Sequence, residues 1–290
     1  MDSSDSLMQA LSGGAPLQAM ATHSPLSAKL AEEAGFDALW ASGFELSALY
    51  GLADVSLITM TQHIEMLRAV ARTSALPIIA DIDTGFGNAV NVAHAVTEYE
   101  RAGAAAVVIE DKSFPKMTSL VAGGRQELLR IEEFQGKIEA ACASRSTEDF
   151  CVIARVEALI AGLGQTEALK RAQAYCKAGA DMILIHSKQK TPDEIEAFIA
   201  AWDGLVPLVL VPTAYPRMTV DRIAATGKVG IVIWGNHAIR ASVAAMQEVF
   251  AQILADGDIH TVENRIAPVA EVFRLQRMDD AKDIETRFLR

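Results

Sequence analysis

ERAGAAAVVIED, residues 100–111, holds a whole structural unit. A charged, helix-like opening gives way to a glycine, and the glycine to a short apolar run that ends in two carboxylates. Glycine suits the residue just after a helix, because a left-handed backbone carries no Cβ penalty there. The run has no polar alternate residues, which is the pattern of a strand buried on both faces in a helix-covered parallel sheet. The phrase recurs as AEEAGFDALWAS (31–42), CKAGADMILIHS (176–187) and, more loosely, ATGKVGIVIWGN (225–236). Further apolar runs followed by helical stretches lie at LPIIADID (76–83), FCVIARVEA (150–158) and LVPLVLVPT (205–213), and a first strand near LQAMATH (17–23) brings the strands to eight. Eight strand–helix units in about 240 residues predict an α/β fold of the (β/α)₈ barrel type. A doubly wound sheet is the runner-up, but no GxGxxG follows the first strand. No linker divides the chain, so residues 1–290 are expected to form one domain. Within it, residues 258–290, rich in charge and long apolar side chains, read as a C-terminal helical extension that packs on the barrel or on a neighbouring subunit.

The bulk numbers narrow the function. Hydrophobic residues make up 51% of the 290, enough for a sizeable core, and aromatics only 6%, so that core is aliphatic. A formal net charge of −11 argues against a nucleic-acid surface. No apolar run reaches the roughly 20 residues that span a bilayer. The N-terminal MDSSDSLMQALSGG is acidic and has no basic segment, so no signal peptide is expected. Cys142, Cys151 and Cys176 show no metal-ligand spacing and read as reduced core thiols of a cytoplasmic protein.

Catalytic groups of such a barrel sit where strands give way to the following loops. Those positions read Ser42-Gly43, Asp81 and Asp83, Glu110 and Asp111, Arg155 and Glu157, His186-Ser187, Thr213, and Asn236-His237. A single acid there is more often a helix N-cap. Four acids on adjacent strands, Asp81, Asp83, Glu110 and Asp111, are a different matter, because carboxylates gathered in a low-dielectric mouth repel one another unless a cation neutralises them. Oxygen ligands without Cys or paired His favour Mg²⁺ or Mn²⁺ over Zn²⁺. Mg²⁺ keeps several waters, so only one or two carboxylates need touch it. The loop EDKSFPKMTSLVAGGR (110–125) is long, polar and hinged at Gly123-Gly124, unlike a plain connector. His63 and His94 fall inside helical patterns and read as structural or solvated. Lys188 to Lys190 reads as a solvated cluster.

DIDTGFGN (81–88), EDKSFPK (110–116), ARVEA (154–158) and WASGFELSA (40–48) together resemble the phosphoenolpyruvate mutase/isocitrate lyase superfamily, over about residues 15–260. The resemblance implies a (β/α)₈ barrel that dimerises by exchanging its last helix, as homodimer or homotetramer, with Mg²⁺ as cofactor and a keto acid or related enolate in the site. It assigns Asp81 to the metal and Asp54, Asp83 and Glu110 to its waters. It gives the substrate to Trp40 and to the amides around Ser42, Gly43 and Phe44, with Arg155 and His186 completing the pocket. The 110–125 loop corresponds to the family's lid, with Lys116, Thr118 and Ser119 at its working tip. The family's carbon–carbon lyases resemble one another in a lid cysteine, and no cysteine lies between 110 and 125 here. The carbon–phosphorus mutases carry Asn where this chain has Thr118. KxTS is similar to the hydrolytic branch, which implies hydrolysis of phosphonopyruvate to pyruvate and phosphate, with Asp54, Lys116, Thr118, Ser119, Arg155 and His186 as catalytic groups. A mutase, an oxaloacetate-type C–C hydrolase or lyase, and a keto-acid-binding module without chemistry remain the alternatives.

Overall fold

The structure, a computed structural model, describes residues 7, 10, 11, 13–121, 123, 124 and 126–290. The N-terminal stretch read for a signal peptide falls partly outside the described residues, as do Ala122 and Arg125 of the 110–125 loop. The chain divides into two compact units, residues 1–237 and 238–290.

In the first unit the described strands are β1 (Leu17–Thr22), β2 (Ala38–Ala41), β3 (Ile78–Asp81), β4 (Ala106–Glu110), β5 (Cys151–Val156), β6 (Met182–Ile185), β7 (Leu208–Leu210) and β8 (Val229–Trp234). Each runs parallel to the next, and β8 returns to pair with β1, closing the barrel. The connecting helices are α1 (Pro25–Glu33), α2 (Gly43–Leu49), α3 (Met60–Ala71), α4 (Ala89–Arg101), α5 (Ile131–Ser144), α6 (Gly164–Lys177), α7 (Asp193–Ala201) and α8 (Val220–Ala224). The repeated phrase behaves as read: Gly103 and Gly179, just past α4 and α6, have φ of 99° and 102°, a conformation that penalises any side chain.

Side chains alternate along each strand, and this alternation builds the site. One buried cluster fills the barrel with Trp40, Ile79, Val108, Ile153, Leu184 and Val209. A second lies outside the strands with Leu39, Ile78, Val107, Val152, Ile183 and Leu210. Inward and outward residues therefore have fixed parity in each strand. Carried two residues past the inner apolar layer, the inward parity reaches Ser42, Asp81, Glu110, Arg155 and His186. The register places Glu110 directly beside Arg155. The apolar layer thus forms the floor, and the polar residues stand on it at the C-terminal mouth.

The second unit carries most of α9 (His237–Asp256), then α10 (His260–Glu263), α11 (Val269–Leu275) and α12 (Met278–Phe288). Arg265 and Glu248 form an ion pair within it. Among the described residues no helix is long and apolar enough to cross a membrane.

Candidate active site

A cavity opens at the mouth, lined by Trp40, Ser42, Phe44, Asp54, Asp81, Glu110, Lys116, Thr118, Ser119, Arg155 and His186 among others. The residues singled out in the sequence are thus brought together from separate strands and loops. Gly43 and Asp83 flank this group. A Cβ built on Gly43 would stand 3.2 Å from Asp83 Oδ1 and 3.7 Å from Asp81 Oδ2, so the bare backbone lets the carboxylates approach the start of α2. Ser42 caps that helix, its hydroxyl accepting from the Glu45 N–H at 3.2 Å. Asp83 takes a φ of 52° and donates its N–H to Asp81 Oδ1 at 3.2 Å, a tight turn that folds the two acids onto each other.

The β3–β4 side of the cavity is acidic. Lys116 Nζ stands 2.6 Å from Asp83 Oδ1 and 3.0 Å from Asp54 Oδ1. Burial pushes the Asp81, Asp83 and Glu110 carboxyls up from their ordinary range, opposed only in part, chiefly by Lys116 at Asp81 and Asp83 and by Lys112 at Glu110. Burial alone would lower the Lys116 ammonium, but Asp83, Glu110, Asp54 and Asp81 together hold it well above the usual lysine value. With all five ionised, Asp54, Asp81, Asp83, Glu110 and Glu157 would share the three cations Lys112, Lys116 and Arg155, leaving two negative charges unbalanced. One buried oxygen, Glu110 Oε1, has no hydrogen-bond partner. Among the described residues no three His, Cys, Asp or Glu side chains converge closely enough to enclose a bare ion. Hard oxygen donors, an orphaned acceptor and a deficit of two charges fit a hydrated divalent cation held directly by one or two carboxylates.

The described part of the 110–125 loop, the segment expected to act as a lid, borders the cavity, its base pinned by a Lys112–Leu128 bridge and by Ser113 N–H donating to Glu127 O at 2.9 Å. Lys116 N–H donates to Ser56 Oγ at 3.1 Å, tying the lid to the loop after α2. Its tip plugs into a buried polar network. Ser119 Oγ donates to Glu157 Oε2 at 2.7 Å and accepts from Lys112 Nζ at 2.6 Å and Arg155 Nη2 at 3.2 Å. Glu157 also pairs with Lys112 Nζ at 3.0 Å and with Arg155 Nε at 2.5 Å. Burial opposes ionisation of Glu157, yet the Arg155 and Lys112 cations win and hold its carboxyl far below the usual range. Burial pushes the His186 imidazole down to about 4, with Arg155 adding to the effect, so it is neutral at pH 7.

Asp111 is a correction. The sequence groups it with the mouth acids, but its outward parity sends it between barrel and helices. There it accepts from Arg171 Nη1 at 2.9 Å, Tyr175 O–H at 2.7 Å and Glu157 N–H at 2.9 Å. Ser187 also leaves the cavity, its hydroxyl donating to Glu194 at the start of α7. His63 is buried on α3 with Nδ1 2.6 Å from Tyr99 Oη, and His94 is exposed on α4, so both helical histidines sit as the periodicity places them. The three cysteines are free. The sequence reading passed over Lys112 and Ser56. Lys112 had a signal, since it follows Glu110 by two and shares its inward parity; Ser56 lies in an irregular loop and had none.

A family model described as phosphoenolpyruvate phosphomutase matches residues 8–254. Over 290 residues, covering all of both chains, the sequence is 60% identical to the phosphonopyruvate hydrolase of Variovorax sp. (strain Pal2). It is 46% identical over 270 residues to the phosphoenolpyruvate phosphomutase of Tetrahymena pyriformis, covering 93% of this chain and 90% of that one. A crystal structure of phosphonopyruvate hydrolase in complex with oxalate and Mg²⁺ superposes with a TM-score of 0.94 at 59% identity, covering 100% of each chain.

Proposed function

The chain belongs to the phosphoenolpyruvate mutase/isocitrate lyase superfamily, and from that premise we propose that it is a Mg²⁺-dependent enzyme hydrolysing phosphonopyruvate to pyruvate and phosphate. The observation that carries this reading is one cavity that gathers buried carboxylates with negative charge to spare together with Arg155, His186 and Thr118. Full-length identity of 60% to a phosphonopyruvate hydrolase supports the same substrate and reaction.

Asp81 is assigned direct contact with the ion, and Asp54, Asp83 and Glu110 its water shell. When bound, Mg²⁺ supplies Lewis-acid charge next to the substrate's carboxylate and ketone oxygens, where the enolate develops. The amides at Gly43 and Phe44, at the start of α2 next to Ser42, add hydrogen bonds there, and Trp40 walls that end. The Arg155 fork suits phosphonyl oxygens, which it can grip two at a time. Neutral His186 offers a hydrogen bond without adding charge. The carbon–phosphorus bond breaks with its electron pair passing into the enolate, which takes a proton to become pyruvate, and the phosphoryl group ends on a water oxygen, either directly or by way of the Asp54 carboxylate. Thr118, one heavy atom shorter than Asn, leaves room for that water and orients it. Lys116, paired with Asp54, brings positive charge when the lid closes, and Ser119 holds the tip down through Glu157 and Lys112. Lid closure keeps other water out.

The same reading makes residues 1–290 one domain with 258–290 as a helical extension, and the protein a cytoplasmic homodimer or homotetramer that exchanges its last barrel helix, α9. Among the described residues α9 buries Ile239 and exposes Val243, Met246, Phe250 and Leu254, which supports a partner for that face. A mutase is the second reading, favoured by the 46% identity to a phosphoenolpyruvate phosphomutase. Pyruvate release from phosphonopyruvate, coupled to NADH oxidation by lactate dehydrogenase, tests the proposal. Pyruvate should form with Mg²⁺ and cease with chelator; no pyruvate at saturating substrate and Mg²⁺ would overturn it.

A further inference from the structure

Thr213 stands three residues past the end of β7 and lines the same cavity as His186 and Arg155. Its hydroxyl oxygen is buried and has no hydrogen-bond partner. A buried hydroxyl left unpaired lowers stability, so an unpaired one in a cavity wall points to a group that arrives later. His186 Nδ1, on the neighbouring strand's end, is unpaired as well. Gly235 keeps the approach open, because a Cβ there would lie 3.0 Å from Val211 Cγ1 and 3.8 Å from Thr213 Oγ1. The tetrahedral end of the proposed substrate carries three acceptor oxygens and needs donors. Ser119 cannot supply one in the closed lid, since its single proton goes to Glu157. Arg155 Nε is also committed to Glu157.

We propose that Thr213 is a substrate-contacting residue whose hydroxyl donates to a phosphonyl oxygen, favouring a tetrahedral phosphonyl group over a planar carboxylate at that end of the cavity. This rests on the phosphonopyruvate reading above. Val has the shape of Thr without the hydroxyl, so Thr213→Val removes the donor and little else, while Thr213→Ser keeps it. Steady-state turnover of phosphonopyruvate, inhibition by oxalate and thermal midpoints should be measured with Mg²⁺ for the parent and both variants. Thr213→Val should lose roughly 10- to 100-fold in kcat/KM, the worth of one hydrogen bond to a charged acceptor. Oxalate has no phosphonyl group and should inhibit Thr213→Val as well as it inhibits the parent. Thr213→Ser should keep most of the parent's kcat/KM, and the Thr213→Val midpoint should not fall. Parental turnover by Thr213→Val, an equal loss of oxalate inhibition, or a lowered midpoint would each overturn the assignment. A parent that releases no pyruvate overturns the phosphonopyruvate reading itself and this proposal with it, and that failure shows in the parent before any variant is made.

Discussion

Glu110 and Asp111 are neighbours in sequence, both carboxylates and both fully buried, yet they stand in two different regions of the molecule. Asp111 lies in the outer layer and is saturated by a guanidinium, a phenol and a backbone N–H. Glu110 faces the mouth with Arg155 Nε at 3.6 Å and one oxygen unpartnered. Burial raises both carboxyls; at Asp111 the Tyr175 hydrogen bond leads the opposing effects, at Glu110 the Lys112 charge does. Complete pairing marks a group that holds the fold. Incomplete pairing at equal burial, in the wall of a cavity, fits a group that receives a ligand.

That contrast makes separable predictions. Removing the ion with chelator, or replacing Asp81 by Ala, should cut turnover by at least about 10³-fold, as expected when a Lewis acid worth several kcal/mol is lost. The metal-free thermal midpoint of Asp81→Ala should not fall, because a carboxylate strained by burial has been removed. Thr118→Ala and Thr118→Asn should each lower kcat by about 10²-fold, typical of one misplaced reactant contact, at unchanged stability. If both variants turn over at the parent's rate, Thr118 is a bystander. Asp111→Ala should behave oppositely. Leaving Arg171 and Tyr175 without their acceptor should cost about 3 kcal/mol of stability, measured by urea unfolding, while refolded protein keeps its metal affinity. A loss of metal binding without a loss of stability would erase the distinction between the two regions.

The smallest effect concerns pH. Burial lowers His63 and His186 from 6.5 to about 4. Between those values the unfolded chain binds protons that the folded chain refuses, so stability falls as pH drops from 6.5 towards 4 and levels off below. Each histidine contributes at most about 3 kcal/mol to that slope. His63→Gln should flatten the midpoint-versus-pH curve in this window, and kcat/KM of the parent should show no histidine limb between about pH 6 and 7.

Much of this was legible in the sequence, and the limits have a physical form. Glycine followed by an apolar run repeats because each unit must end a helix and enter a buried strand, so the barrel and the strand ends could be placed. The acids, Arg155 and His186 could then be gathered without knowing any distance. Parity was the information left unused. A period of two separates Glu110 from Asp111 and joins Glu110 to Lys112, but a reading by strand end alone merges the first pair and misses the second. The partners of Asp111 were beyond reach for another reason. Arg171 and Tyr175 lie on α6, and only packing of that helix against β5 and β6 brings them to it. The orphaned oxygens of Glu110 and Thr213 are likewise properties of three-dimensional neighbours, invisible to any local pattern.

The central claim is that this mouth breaks a carbon–phosphorus bond and lets the phosphoryl group leave with water. Phosphorus NMR of phosphonopyruvate incubated with the protein and Mg²⁺ follows that atom directly. The account predicts that the phosphonate resonance is replaced by inorganic phosphate alone, and that nothing changes in chelator. Accumulation of phosphoenolpyruvate, or an unchanged phosphonate resonance at saturating Mg²⁺, would contradict it.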